Sequence, residues 1–123
     1  MENAKSNPIR DKSFLFALRV VKLAKFLQGE KKEFVLSKQV LRSGTAIGAL
    51  VREAEHAQSK ADFISKMSIA LKEANETDYW LDLLHQSDYL TQDSYDSIHS
   101  DIQELIKLLV SIVKTSKGAT DGR

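Results

Sequence analysis

The stretch FISKMSIALKEANETDYWLDLL, residues 63–84, places Phe63, Met67, Ala70, Ala74, Thr77, Leu81 and Leu84 at alternating steps of four and three. That spacing lines one side of an α-helix with small and apolar groups, as a helix packed in a bundle requires. Ile64, Leu71 and Trp80 widen the stripe, and neither glycine nor proline interrupts it. Ser59-Lys60-Ala61-Asp62 just before it reads as an N-cap followed three residues later by an acid, close to a capping box. The pattern predicts a helix over 60–86, roughly 40 Å long at about 1.5 Å per residue.

The same periodicity recurs on both sides. Towards the C-terminus, Tyr95, Ile98, Ile102, Leu105, Leu109 and Ile112 form a stripe broadened by Ile106 and Val113. Thr91 is placed to cap that helix and Gly118 to stop it, which predicts a helix over 92–115. Towards the N-terminus, Val40, Gly44, Ile47, Val51 and Ala54 predict a helix over 37–57 with Ser37 as its cap. Before it, two stripes lie side by side: Phe14, Ala17, Val21 and Ala24, then Phe16, Val20, Leu23 and Leu27. They predict a helix over 12–28, ended by Gly29 and the turn GEKKE. Short turns join the four segments, so neighbours in sequence should pack antiparallel. The expected fold is all-α, a single-domain up-down-up-down four-helix bundle, with residues 1–10 and 118–123 as tails without fixed structure.

Composition narrows the function. The 123 residues contain no cysteine, which removes disulfides, thiolate nucleophiles and cysteine metal sites. No apolar run approaches the length of a membrane span, and the opening MENAKSNPIRDKS carries no apolar signal stretch. A cytoplasmic protein without a membrane partner is expected. The net charge of +1 conceals a segregation: residues 1–42 hold ten Lys/Arg against four acids, and residues 73–106 hold nine acids and no Lys or Arg. Such polarity suits either RNA or DNA, or a second copy of the same chain. The apolar width of helices one, three and four exceeds what one bundle seam uses and predicts a homo-oligomer.

Arg19, Lys22 and Lys25 share a helical face at steps of three, and Lys31, Lys32, Lys38 and Arg42 follow around the next turn. These seven are the candidate nucleic-acid contacts, of a non-sequence-specific kind, and the alternative is a solvated face. Gly44 and Gly48 sit inside a predicted helix, where each costs about 1 kcal/mol relative to alanine. Close approach of another backbone, a local irregularity or a helix boundary would each account for them. Arg52, Glu53, Glu73, Glu76 and Tyr79 join them as candidates for close packing or a subunit interface, the acids pairing with Arg52, Lys72 or Arg42. Glu53 and His56 have the ExxH spacing of di-iron bundles, and Asp82/His85 and Asp96/His99 repeat it. In an antiparallel bundle these sets fall at opposite poles, and helix one supplies no carboxylate after Asp11. A metal-dependent enzyme built on Glu53 and His56 is therefore the remote alternative; no cofactor, metal or catalytic residue is expected.

The block LRSGTAIGALVREAE (residues 41–55), continuing as QSKADFISKMSIALKEANETDYWLDLL (58–84), resembles the bacterial four-helix bundle proteins named after intervening sequences of 23S ribosomal RNA genes. Lys12-Ser13-Phe14 and Phe16-Ala17-Leu18 match as well, and the resemblance extends over about residues 10 to 115. It implies a ring of five identical bundles with no assigned activity. A related group, the accessory proteins of diversity-generating retroelements, are basic pentameric bundles that bind nucleic acid and the reverse transcriptase. The family's signature falls here on Arg42, Ser43, Gly44, Ile47, Arg52, Glu53, Ala54, Phe63, Ala70, Glu73 and Glu76. None of these is established as catalytic. Leu50 stands where the family usually has a polar residue, often Asn, and this chain is less basic than the retroelement proteins. The reading is a non-enzymatic oligomeric scaffold or adaptor with weak nucleic-acid binding, or a purely structural ring that binds another protein.

Overall fold

The computed structural model describes residues 7–121, with side chains to Gly118. Four helices account for nearly all of it: α1 Pro8–Gly29, α2 Leu36–Glu55, α3 Lys60–Gln86 and α4 Gln92–Asp121. Contacts between helices run in opposite chain directions throughout. Arg10 meets Glu55 and Gly48 meets Ser13 between α1 and α2. Thr77 meets Ser43 and Lys66 meets Glu53 between α2 and α3. His85 stacks on Tyr95 while Asp78 meets His99 between α3 and α4. Sequential helices pack closely in this way; α1 and α4 also touch, but along a much thinner seam.

The predicted seams form the core. Val40, Ile47, Val51 and Ala54 of α2 and Met67, Ala70, Ala74, Leu81 and Leu84 of α3 are buried, as are Ile98, Ile102, Leu105 and Leu109 of α4. Ser43 and Thr77 lie among them with no exposure. Their hydroxyls satisfy each other across the α2–α3 contact: Thr77 Oγ1 donates to Ser43 Oγ at 2.9 Å, and Ser43 Oγ bonds the Gln39 carbonyl at 3.1 Å. Paired in this way, two polar groups enter the core without an unsatisfied donor.

Several boundaries differ from expectation, each for a local reason. Helix α1 starts at Pro8, not at residue 12, because Asn7 caps it: its side chain accepts from the Arg10 amide at 3.2 Å. Pro8 needs no amide partner in the first turn, and Ile9 enters the core. Helix α4 continues through Gly118 to Asp121. A glycine stops a helix when it adopts a left-handed conformation, and no described glycine has a positive φ. Thus 8–10 and 118–121 of the expected tails are helical, while residues 1–6 and 122–123 lie outside the described residues.

Ser37 is not the cap of α2. The helix begins at Leu36, and the carboxylate of Glu33 caps it, accepting from the amides of Val35 at 3.3 Å, Leu36 at 3.0 Å and Ser37 at 2.7 Å. Ser37 Oγ is held instead by the side-chain amide of Gln28 at 3.1 Å. The left-handed turns fall on Lys32, φ 54°, and Asp88, φ 69°, at the two connections that share one pole of the bundle. Ser59 and Thr91 do cap α3 and α4, accepting from the amides of Asp62 at 3.0 Å and Ser94 at 3.1 Å.

Candidate assembly face and basic pole

Of the two apolar stripes expected on α1, Phe16, Val20 and Leu27 of the second enter the core together with Ala24 of the first, while Phe14 and Val21 of the first do not. Phe16, Val20, Ala24 and Leu27 are buried, whereas Phe14, Leu18 and Val21 are 50%, 47% and 37% exposed. These three recur at steps of four and three, so they form a second seam of bundle type turned outward. Leu15 extends it on the α4 side. Arg52 of α2 lies over the ring of Phe14, 5.5 Å from its centroid, and so flanks the seam on the other side.

The basic set divides into two groups. Arg19 spans the thin seam to α4, where it pairs with Asp101 and donates to the hydroxyl of Ser97 at 3.1 Å. Arg42 reaches from α2 to α3 and pairs with Glu73 and Glu76. Both arginines are therefore held by carboxylates of their own chain. The five lysines of the set behave differently. Lys22, Lys25, Lys31, Lys32 and Lys38 are exposed and make no ion pair among the described residues. They run from the second half of α1 round the turn to the first turn of α2. Lys31 Nζ sits 5.8 Å from the centre of the Phe26 ring.

Glu33 belongs to this pole but does not neutralise it as a free carboxylate would. Burial disfavours its charge, yet hydrogen bonds from the amides of Leu36, Ser37 and Val35 and from the Ser37 hydroxyl outweigh burial and hold its pKa below the ordinary 4.5. Its negative charge is directed into the positive end of α2.

The remaining candidates resolve into contacts within the chain. A Cβ on Gly44 would lie 2.8 Å from Val20 Cγ2, and one on Gly48 3.4 Å from the Ser13 carbonyl oxygen, so both glycines sit where α1 and α2 approach closely. Glu53 faces Lys66 at 3.8 Å, a partner the sequence did not suggest, and Arg52 pairs with no acid among the described residues. Glu76 also accepts from Trp80 Nε1 at 3.1 Å. Tyr79 points outward with its ring edge-on to Trp80. His56 is exposed just past the end of α2, and among the described residues no three His, Asp or Glu side chains converge as metal ligands.

Three features escaped the sequence. One is the stack of His85, Tyr95 and His99, with ring centres 4.2 Å and 5.0 Å apart, on the acidic α3–α4 face. There burial, and then the charges of Asp82, Asp78 and Asp96, push the Tyr95 phenol above its ordinary 10. The others are the exposed aromatics of the lysine-rich pole, Phe26 and Phe34, with Val35 beside Phe34. Two apolar residues after the charged run Lys31-Lys32-Glu33, inside a turn, are the available signal for Phe34 and Val35.

The model of the 23S rRNA-intervening sequence protein family matches residues 5–111. The chain belongs to that family. Among solved structures, this family member is similar to a protein of unknown function from the S23 ribosomal protein family of Bacteroides thetaiotaomicron VPI-5482. The two are 62% identical and superpose with a TM-score of 0.87 over 88% of this chain and 96% of the other. No curated protein matches the chain. Like the fold, family membership places no activity on the chain; among its described residues no helix is long and apolar enough to cross a membrane.

Proposed function

We propose that this protein is a non-enzymatic, self-associating scaffold that carries nucleic acid weakly and without sequence preference on its lysine-rich pole. The outward seam of Phe14, Leu18 and Val21 supports this most directly, because it repeats on the solvent side the spacing that the core side of α1 uses to pack. Burial against a second copy removes that apolar surface from water, which is the main favourable term in association. The family resemblance makes a ring of five the expected form. A ring repeats one lysine cluster around its axis, and repetition turns weak phosphate contacts into useful affinity.

The acidic face favours a second reading. Asp82, Asp88, Asp93 and Asp96 are exposed on the α3–α4 side, and the lysines of a neighbouring copy are the right charge to meet them. In that case the protein is a structural or protein-binding ring without nucleic acid. Glu53 is engaged by Lys66 and His56 stands apart at the helix end, which speaks against the metal-enzyme alternative.

Light-scattering mass, measured together with nucleic-acid binding, tests these readings. The wild-type protein should have a multiple of the monomer mass at micromolar concentration, and Phe14→Glu with Leu18→Glu should reduce it to a folded monomer. A wild-type monomer overturns the scaffold. Salt at about 0.5 M should strip nucleic acid while leaving the assembly mass unchanged. An intact assembly that binds neither RNA nor DNA at about 50 mM salt establishes the second reading instead.

A further inference from the structure

We infer that the lysine-rich pole selects single-stranded over double-stranded nucleic acid, with Phe26 as the ring on which a base stacks; this rests on the nucleic-acid part of the function proposed above. Phe26 closes the last turns of α1 with 42% of its surface exposed. It stands between two hollows. One, of about 340 Å³, has Lys22 on its rim and Leu90 and Ile98 in its wall. The other, of about 290 Å³, is formed by Lys31 with Asp88, Tyr89, Leu90 and Thr91 of the α3–α4 turn and Ser94 at the start of α4. The ring therefore has a hollow on each side, the first mainly apolar and the second of mixed polarity, with an ammonium group close to each.

An exposed aromatic ring with cations around it matches the two chemical parts of an unpaired strand. The base has a flat face that stacks whatever its identity, and the phosphate needs a cation within a few ångströms. A duplex offers only the second, because its base faces are buried in its own stack. Phe34, 51% exposed after Lys31-Lys32, supplies a second ring along the same lysine track. Charge orients the strand. Asp88 lines the second hollow, which disfavours phosphate there and leaves it to a base beside Tyr89. The phosphates then follow Lys22, because the hollow that Lys22 shares with Phe26 has no acid in its lining. Because Glu33 is committed to the amides of α2, its carboxylate is not available to pair with the lysines of this pole.

The test is fluorescence anisotropy on the full chain with a labelled RNA strand of mixed sequence, about 15 nucleotides long, and with its duplex, at about 50 mM salt. The strand should bind at least tenfold more tightly than the duplex. Phe26→Ala should weaken the strand about tenfold and leave the duplex unchanged, with Phe26→Tyr restoring it and Phe34→Ala giving a smaller loss in the same direction. Lys22→Gln should weaken both and lower the salt dependence of strand binding by about 0.7 in log–log slope. Equal binding of strand and duplex, with Phe26→Ala without effect, overturns the inference and leaves the nucleic-acid reading standing. Binding of neither removes that reading and the inference with it. A fall in light-scattering mass on Phe26→Ala makes the ring an assembly contact and overturns the inference alone.

Discussion

At Gly44 a methyl group would project to within 2.8 Å of Val20 Cγ2 and 2.9 Å of Cγ1, inside the distance real Cβ atoms keep. Val20 is fully buried and β-branched, so it has little freedom to turn aside. Gly44→Ala should therefore destabilise the fold by about 1–2 kcal/mol, overpacking outweighing the gain in helix propensity. One turn later the balance reverses. At Gly48 the nearest atom is the Ser13 carbonyl oxygen at 3.4 Å, ordinary contact, so Gly48→Ala should stabilise by up to about 1 kcal/mol. Denaturant unfolding followed by far-UV circular dichroism measures both, and equal signs would contradict the packing described here. In the sequence the two glycines looked alike. What separates them is the residue that α1 places opposite each, and local pattern does not contain that register. The same blindness hid the partner of Arg19, whose carboxylate lies on α4, whereas Glu73 and Glu76 were among the acids expected to meet Arg42 and do so.

Among the elements, α2 shows how a helix end can be secured from outside its own first turn. Glu33 is three residues upstream of Leu36 and gathers three amides that would otherwise lack partners. Because its folded pKa lies below the ordinary 4.5, its contribution is complete above that value and is lost as pH falls through the lower folded value. Glu33→Gln should cost about 1 kcal/mol at neutral pH, and the difference from wild type should shrink progressively below about pH 4.5. Urea unfolding repeated across that range checks it; a constant difference would mean that the carboxylate charge plays no part. Helix α2 was readable in advance because it has one apolar side, and burial follows that side residue by residue; along α3 it follows the expected seam from Met67 to Leu84. Helix α1 was not, because two apolar stripes compete for a single core and periodicity alone cannot rank them. The start of α1 carried a readable signal, Asn-Pro before a helical pattern, masked by the polar character of the surrounding residues.

For the whole molecule, the charge segregation seen along the chain is only partly a segregation in space, since Asp88 shares a pole and a hollow with Lys31. The lysines gather at the pole where α1 turns into α2, and the acids spread over α3 and α4. Which of these faces would meet a second copy and which a ligand is not written in the sequence of one chain. The connectivity has a further consequence, in time. Three of the four helix pairings join neighbours through short turns and can form early, since little loop entropy opposes them. The α1–α4 seam joins residues as far apart as Arg19 and Asp101, and it has few contacts to reward closure. It should close after the folding barrier is crossed and open before the barrier on the way back. Asp101→Asn, measured by stopped-flow, should then speed unfolding roughly two- to fivefold and leave the folding rate unchanged. The first and last helices of this chain would be the last to meet and the first to part.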